Sequence, residues 1–477
     1  MKITKTIQQM AMVLMVMLIN ACVPELTNTS GQLKTPETFG QRSDSINVGS
    51  MPWKQYFDDP YLVRLIDSAL ANNQELNIIR QEIDIAKNEV SARKGEYLPF
   101  VNLGLEGEID KVGKYTRLGA VESNLDIRPG EEFPEPLSNI QLGAYASWEV
   151  DVWNKLRNAK KAAYNRYLGS IEGRNFLTTQ LIAEIASTYY ELLALDNQLA
   201  IAQQNIEIQT NALEVVKLQK QAARVTELAV RRFEAQLLDT KSIQYYIQQD
   251  IIETENRLNF LLGRYPQPIS RSSNDFMVKL PGNIASGVPA QLLVNRPDIR
   301  EAELNLTAAK LEVQSTRALF FPSLDLRAGI GFEAFRPDLL ITTPESMIYR
   351  TAGGLIVPLV NRRGITAAYK NANAQQIQAL YEYEQTVLNA YIEVVNQLSN
   401  INNLTASLEF KSEQVNKLTE SVDISNNLFR SARADYMEVL LTQEEALVSK
   451  FELVDNKLDQ MHAWIQAYRA LGGGWQE

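Results

Sequence analysis

The sequence predicts a mixed α and β membrane protein, in which strands from several copies close one barrel and long helices pack as coiled coils. Three observations predict it. Four stretches alternate with a period of two, helical periodicity runs unbroken over some forty residues, and the whole order of elements recurs about two hundred residues later.

The first helix is expected over 60–96, ending near Gly95 and Pro99. The period then changes to two. Val101, Leu103, Leu105 and Ile109 alternate with Asn102, Glu106, Glu108 and Asp110. After a polar loop of about 25 residues, Ile140, Leu142, Ala144, Ala146, Trp148, Val150 and Val152 alternate with Gln141, Tyr145, Ser147, Glu149 and Asp151. The two runs make a hairpin of about 99–152 with one apolar and one acidic face. A second hairpin, about 322–360, sets Leu324, Leu326, Ala328, Ile330 and Phe332 against Asp325, Arg327 and Glu333. Its last strand, about 350–360, keeps Leu355, Val357 and Leu359 in step, and Pro358 marks where that strand leaves the sheet. Trp148, Trp153 and Tyr349 at strand ends fit an interfacial aromatic belt.

Between the hairpins, apolar residues from Leu181 to Val216 step by four and three. In the second half Val387, Val394, Ile401, Leu408, Val415, Val422 and Phe429 recur every seven residues, the period of coiled-coil packing.

The chain reads as a duplication. Leu98-Pro99 returns as Phe321-Pro322, 223 residues on. The stretch Val150 to Lys155 returns as Val357 to Arg362, 207 on. Ala223-Arg224 and Val230 return as Ala432-Arg433 and Val439, 209 on, and Leu262-Gly263 returns as Leu471-Gly472. The first repeat is expected over 59–263 and the second over 297–477, with a Pro-rich linker at 264–296 between them.

In lipid every backbone polar group must be satisfied, so a spanning sheet must close. Four strands cannot close alone, and about eight already make a barrel filled by side chains. Several copies must therefore share one barrel. Three are favoured, giving twelve strands around a lumen lined by Glu106, Glu108, Asp110, Glu149 and Asp151.

The amino terminus reads as an address. Lys2 and Lys5 precede an apolar run from Met10 to Ile19, about half a spanning length. Ala21 then precedes Cys22, as a lipoprotein signal peptidase requires. Residues 1–21 are expected to be a signal peptide and Cys22 the acylated first residue of a lipidated segment, 22–58. Val23 in place of aspartate directs the protein to the outer membrane, held there by its acyl chains.

Composition excludes other classes. One cysteine rules out a disulfide framework, and one histidine, His462, argues against a His-based metal centre or catalytic triad. A net charge of −10 gives no field for nucleic acid. No Gly-rich phosphate loop and no G-x-S-x-G is present, so neither an enzyme nor a cofactor is expected.

Several motifs, in order, resemble one family. They are Phe57-Asp58-Asp59-Pro60-Tyr61-Leu62, Ser147 to Trp153, and Asn295-Arg296-Pro297-Asp298-Ile299-Arg300. Phe320-Phe321-Pro322-Ser323, Ala434 to Leu440, and Tyr468 to Trp475 complete the set. From Trp53 to Trp475 the chain resembles the outer-membrane efflux proteins, the TolC-like channels, most closely the lipoprotein subgroup typified by OprM and NodT.

The resemblance implies a homotrimer with a twelve-strand barrel continued by a helical tunnel through the periplasm. Its partners would be a periplasmic adaptor (membrane fusion) protein and an inner-membrane pump of the RND type, which supplies the energy for a passive conduit. By position, the tips meeting the adaptor are Gln221–Leu228 and Ser431–Glu438, with Arg224, Glu227 and Arg433 as candidate contacts. Glu438, assisted by Asp435, would narrow the inner aperture. Leu441 stands where relatives carry a second acid, and would form an apolar collar. The alternative is a coiled-coil outer-membrane lipoprotein scaffold without a channel, which would not need acidic-faced hairpins.

Overall fold

The computed structural model describes residues 23–26, 31, 36–39, 47–279, 285–358, 361–431 and 433–476. Lys2, Lys5, the run from Met10 to Ile19, Cys22, Pro281, Leu359, Val360 and Ala432 lie outside the described residues.

Asp59 caps the first helix by accepting from the N–H groups of Tyr61 and Leu62, and Pro60 takes the first helical position. The single helix expected over 60–96 is two, α1 (Pro60–Asn72) and α2 (Gln74–Tyr97). Asn73 between them turns out of helical geometry, at ψ 130°. Its Oδ1 accepts from the N–H of Leu76 at 3.0 Å, and its Nδ2 donates to the Leu261 carbonyl at 2.9 Å. The side chain thus supplies an N-cap in mid-pattern, which apolar periodicity alone does not reveal.

Four strands follow: β1 (Phe100–Asp110), β2 (Leu137–Val150), β3 (Ser323–Ala334) and β4 (Met347–Ile356). They form one antiparallel sheet in the order β1-β2-β3-β4. The fourth strand stops two residues before Pro358, because proline cannot donate to the ladder. Further helices are α3 (Lys155–Gln221), α4 (Glu227–Leu261), α5 (Leu292–Asn295), α6 (Pro297–Ala318), α7 (Arg363–Arg430) and α8 (Tyr436–Ala470). At 1.5 Å per residue, the 67 residues of α3 make a rod of about 100 Å.

The chain divides into two compact units, and each draws on both halves of the sequence. One unit takes Asp84–Leu168 and Leu304–Leu380 and holds the sheet. The other takes Gly31–Ile83, Gly169–Glu303 and Tyr381–Glu477. Its core is built on Leu62, Ile66, Ile185, Tyr189, Leu192 and Leu258, all fully buried. The repeats are therefore interleaved, and neither forms a separate domain. Within the stretch 264–296, expected as a connector, described residues are packed: Ile269 and Phe276 are buried, and α5 lies at its end.

Backbone geometry repeats with the sequence. Asn154 and Asn361 both take the left-handed region, at φ 61° and 56°, just before α3 and α7. Gly263 and Gly472 end α4 and α8 at φ 66° and 89°. A Cβ on Gly263 would lie 2.5 Å from the Asn72 carbonyl oxygen, and one on Gly472 would lie 2.7 Å from that of Asn295. Asn72 and Asn295 are again 223 residues apart. Both glycines are thus required twice, by φ and by close approach. Gly472→Val is expected to destabilise the fold by about 1–3 kcal/mol, read as earlier thermal loss of helical circular dichroism.

Candidate functional site

The sheet separates chemistry between its faces. Directly paired residues share a face, and the register places Leu103, Ala144, Ile330 and Tyr349 in one row. That face carries Val101, Leu105, Ile109, Leu142, Leu326 and Leu355 in the same parity. Leu103 is 81% exposed and Tyr349 79%. Among the described residues no helix is long and apolar enough to cross a membrane.

The opposite face is polar. Glu106 pairs with Gln141, which pairs with Glu333, and Asn102 lies in one row with Tyr145, Gly329 and Arg350. Asn102, Gln141, Tyr145, Ser147, Arg327 and Arg350 help line a trough of about 640 Å³. Tyr145 lies flat against the sheet: a Cβ on Gly143 would meet its hydroxyl at 2.9 Å, and one on Gly329 its ring at 3.0 Å. Glycine keeps this wall low.

Glu106, Glu108 and Asp110 lie exposed on this polar face. Glu149 lies on it too but is ion-paired with Lys155. Asp151 does not line the face. The strand ends at Val150, and Asp151 is buried, accepting from the N–H groups of Leu156 and Arg157 at 3.1 and 2.9 Å. The orphan donors at the start of a 67-residue helix claim that carboxylate. Arg350 was missed as a member of this face, because the acidic residues dominate the pattern, whereas Arg327 already stood in the polar set of the alternation.

The helical hairpin tips are the second candidate region. After α3, Ala223 turns left-handed at φ 54°, and the Arg224 N–H donates to the Gln219 carbonyl at 2.9 Å. At the other tip the Arg433 N–H donates to the Leu428 carbonyl at 2.9 Å, the same closure 209 residues on. Val216, Val230, Phe233, Val439 and Leu440 form a buried apolar cluster behind the turns.

The tip charges divide by use. Glu227 bridges Lys220 and Arg231, the latter at 2.8 Å, and Glu234 accepts from Arg231 at 2.9 Å. Asp435 caps α8 by accepting from the Tyr436 N–H, so one of its oxygens is committed to backbone. Glu438, in the first turn of α8, is exposed, and Leu441 three residues on is 52% exposed on the same helix face. Arg224 and Arg433 are exposed, with no ion pair among the described residues.

The resemblance motifs at both ends of the chain have structural work. The Tyr56 ring stacks on Trp464 at 4.2 Å and on Tyr468 at 3.9 Å between centroids. Arg296, only 4% exposed, holds Asp298 with two nitrogens, Glu393 at 2.8 Å and the Ala470 carbonyl at 3.0 Å. His462, half-buried, lies 3.2 Å from the Ser187 carbonyl.

A family model described as "Outer membrane efflux protein" matches residues 65–264 and 288–473. The solvent efflux pump outer membrane protein SrpC of Pseudomonas putida is 28% identical over 448 residues, covering 93% of this chain and 92% of that protein. The probable outer membrane lipoprotein SilC of Salmonella typhimurium is 26% identical over 430 residues, covering 89% and 88%. The crystal structure of the open state of the Neisseria gonorrhoeae MtrE outer membrane channel superposes with a TM-score of 0.83. It is 21% identical and covers 95% of this chain and 99% of that one.

The Glu227 carboxyl is held below the usual carboxylate range, first by the hydrogen bond from Lys220 and then by Arg231. A depressed folded-state value means that the clasp stabilises the turn above the ordinary glutamate range and is lost as pH falls through the depressed value. Amide exchange at Ala222–Val225 is therefore expected to be faster in Glu227→Gln than in wild type at pH 7. The two should converge once the wild-type carboxyl is protonated.

Proposed function

The chain belongs to the outer membrane efflux protein family and is an outer-membrane channel component of an efflux system; we propose how it performs that task. Three copies each contribute β1–β4 to one twelve-strand barrel, and the long helices continue the conduit through the periplasm. One observation carries this reading: a four-stranded sheet with an exposed apolar face, a polar face and two open edges. Lipid tolerates the first and a water-filled lumen needs the second, but hydrocarbon does not tolerate the third unless further copies pair the edges. A coiled-coil scaffold would have no use for such a sheet.

In this reading Cys22 carries the acyl anchor, and Glu106, Glu108 and Asp110 give the lumen its acidic character. The α3–α4 and α7–α8 tips dock a periplasmic adaptor of the membrane fusion class. An RND-type inner-membrane pump drives export, and the channel itself is passive. Three Glu438 side chains converge at the inner aperture above a Leu441 collar. Asp435, committed to its cap, assists by fixing the start of α8. Like charges about 4 Å apart repel by roughly 1–4 kcal/mol as the effective dielectric falls from 80 to 20, which favours cations and opposes closure.

The purified protein is expected to run as a trimer by light scattering and to conduct in planar bilayers. Glu438→Gln should lower its cation preference or raise its resting conductance. A wild-type monomer would sink the channel reading, and an unchanged Glu438→Gln channel would sink the aperture alone. Arg224→Glu combined with Arg433→Glu should abolish export in cells while leaving trimers intact; undiminished export would remove the tips from adaptor docking.

A further inference from the structure

The sheet order leaves β1 and β4 as free edges. Every residue of β1 except Leu103's neighbour Gly104 is exposed, as is every residue of β4 except Ile348, whereas β2 is mostly half-buried. Charge differs between the two edges. On the polar face β1 carries Glu106, Glu108 and Asp110, and β4 carries Arg350. None of these four has an ion pair among the described residues, although acids and bases elsewhere in the chain pair freely.

The duplication supplies a template for joining these edges. β1 and β2 belong to the first repeat, and β3 and β4 to the second, so the β2–β3 ladder joins first repeat to second within one chain. A seam from β4 to β1 of another copy joins the same two repeats, second to first. The 223-residue offset carries β1 onto β3, Phe100 onto Ser323. The 207-residue offset, fixed by the left-handed Asn154 and Asn361, carries β2 onto β4. The observed pair Gly143–Gly331 then maps onto Arg350 and Glu108.

The hairpin ladders offer a competing superposition. They pair Phe100 with Ser147 and Ser323 with Ile356, an offset of 209. That superposition would map Gln141–Glu333 onto Arg350 and Asp110. Barrel closure decides between them. One row runs Phe100, Ser147, Arg327, Ala352 across the chain. With Arg350 opposite Glu108, Ala352 meets Glu106, and the row climbs about six residues per copy, or about 18 around three copies. With Asp110, it climbs about eight per copy, or about 24 in all. The tangent of the strand tilt is the total climb times the rise per residue, divided by strand number times strand spacing. For twelve strands the two registers give tilts of about 46° and about 54°, and membrane barrels lie near 35–45°. Registers displaced by one residue are excluded, because they would turn Arg350 onto the lipid-side row.

We propose that β4 of each protomer pairs antiparallel with β1 of the next copy, in the register that sets Arg350 opposite Glu108 of the partner subunit. The inference rests on the trimeric channel reading and specifies its seam. The occupant of each open edge is a second copy of this chain, chosen by complementary charge and by the repeat geometry. Each seam then carries one lumen-facing ion pair, flanked two residues away on either side by Glu106 and Asp110 of the partner subunit. An exposed pair of this kind selects register and partner more than it adds bulk stability.

Cysteine pairs in the full-length protein in outer membranes read the register. Ala352→Cys with Glu106→Cys is expected to give a covalent trimer on a non-reducing gel after mild oxidation, and Ala352→Cys with Glu108→Cys much less. The reverse order would overturn the register. Charge reversal reads the ion pair. Arg350→Glu and Glu108→Arg should each lower the temperature at which trimers dissociate, and the double reversal should restore it. Failure of the double reversal to rescue would overturn the pairing. Wild type that extracts as a monomer, with neither cysteine pair cross-linking, would instead bring down the trimeric reading on which the inference stands.

Discussion

An unpaired peptide group in hydrocarbon costs several kcal/mol, and the organisation of this chain follows from avoiding that cost. Helices satisfy their own backbone, but the long helices here are amphipathic. The membrane-facing apolar surface is given to a sheet, in which every second residue can face lipid while its neighbours face water. A sheet of four strands satisfies its interior ladders and leaves two edges open. The shortage of strands is therefore the physical argument for several copies sharing one barrel. The same alternation that puts Leu103 and Tyr349 on the apolar face puts Glu106 and Arg350 on the polar one.

Outside the membrane the same accounting for backbone groups applies at helix ends. Asn73, Asp59, Asp151 and Asp435 each give side-chain oxygens to the first N–H groups of a helix. Long-range contacts then fix the ends of the chain. Tyr56 is stacked on Trp464 and Tyr468, and Arg296 gathers Asp298, Glu393 and the Ala470 carbonyl. A buried guanidinium costs several kcal/mol to desolvate, and its bidentate carboxylate and further acceptors offset that cost. The motifs that mark the family are thus largely framework, holding elements of the two repeats together around the helical core.

Much of this was legible in the sequence because it depends on period. Strand faces, long helices and the duplication all show as regular spacing. What spacing could not show depends on single side chains acting on backbone. Asn73 looks like any polar residue on a helical face, yet its amide breaks that helix in two. Asp151 continues the acidic alternation of β2, yet the donors of α3 remove it from the polar face. Glu227 reads as a free tip charge, yet Lys220 and Arg231 hold it in the turn. In each case the partner is a particular local group that periodicity does not single out.

These corrections sharpen where function can reside. A charged group already bonded inside one chain has little capacity left for a pore, an ion or another protein. Arg271 with Asp196 and Glu255, Arg300 with Glu172, and Lys155 with Glu149 are occupied in this way. Among the described residues, charges without an ion pair also lie along the helices, Lys241 and Asp250 among them, but two groups sit at the polar edges of the sheet and at the tips of the helical hairpins. They are Glu106, Glu108, Asp110 and Arg350 at the first, and Arg224, Arg433 and Glu438 at the second. Exposed charge is cheap at any surface, so its presence alone argues little. At the open sheet edges it argues more, because there one chain leaves its backbone ladder incomplete.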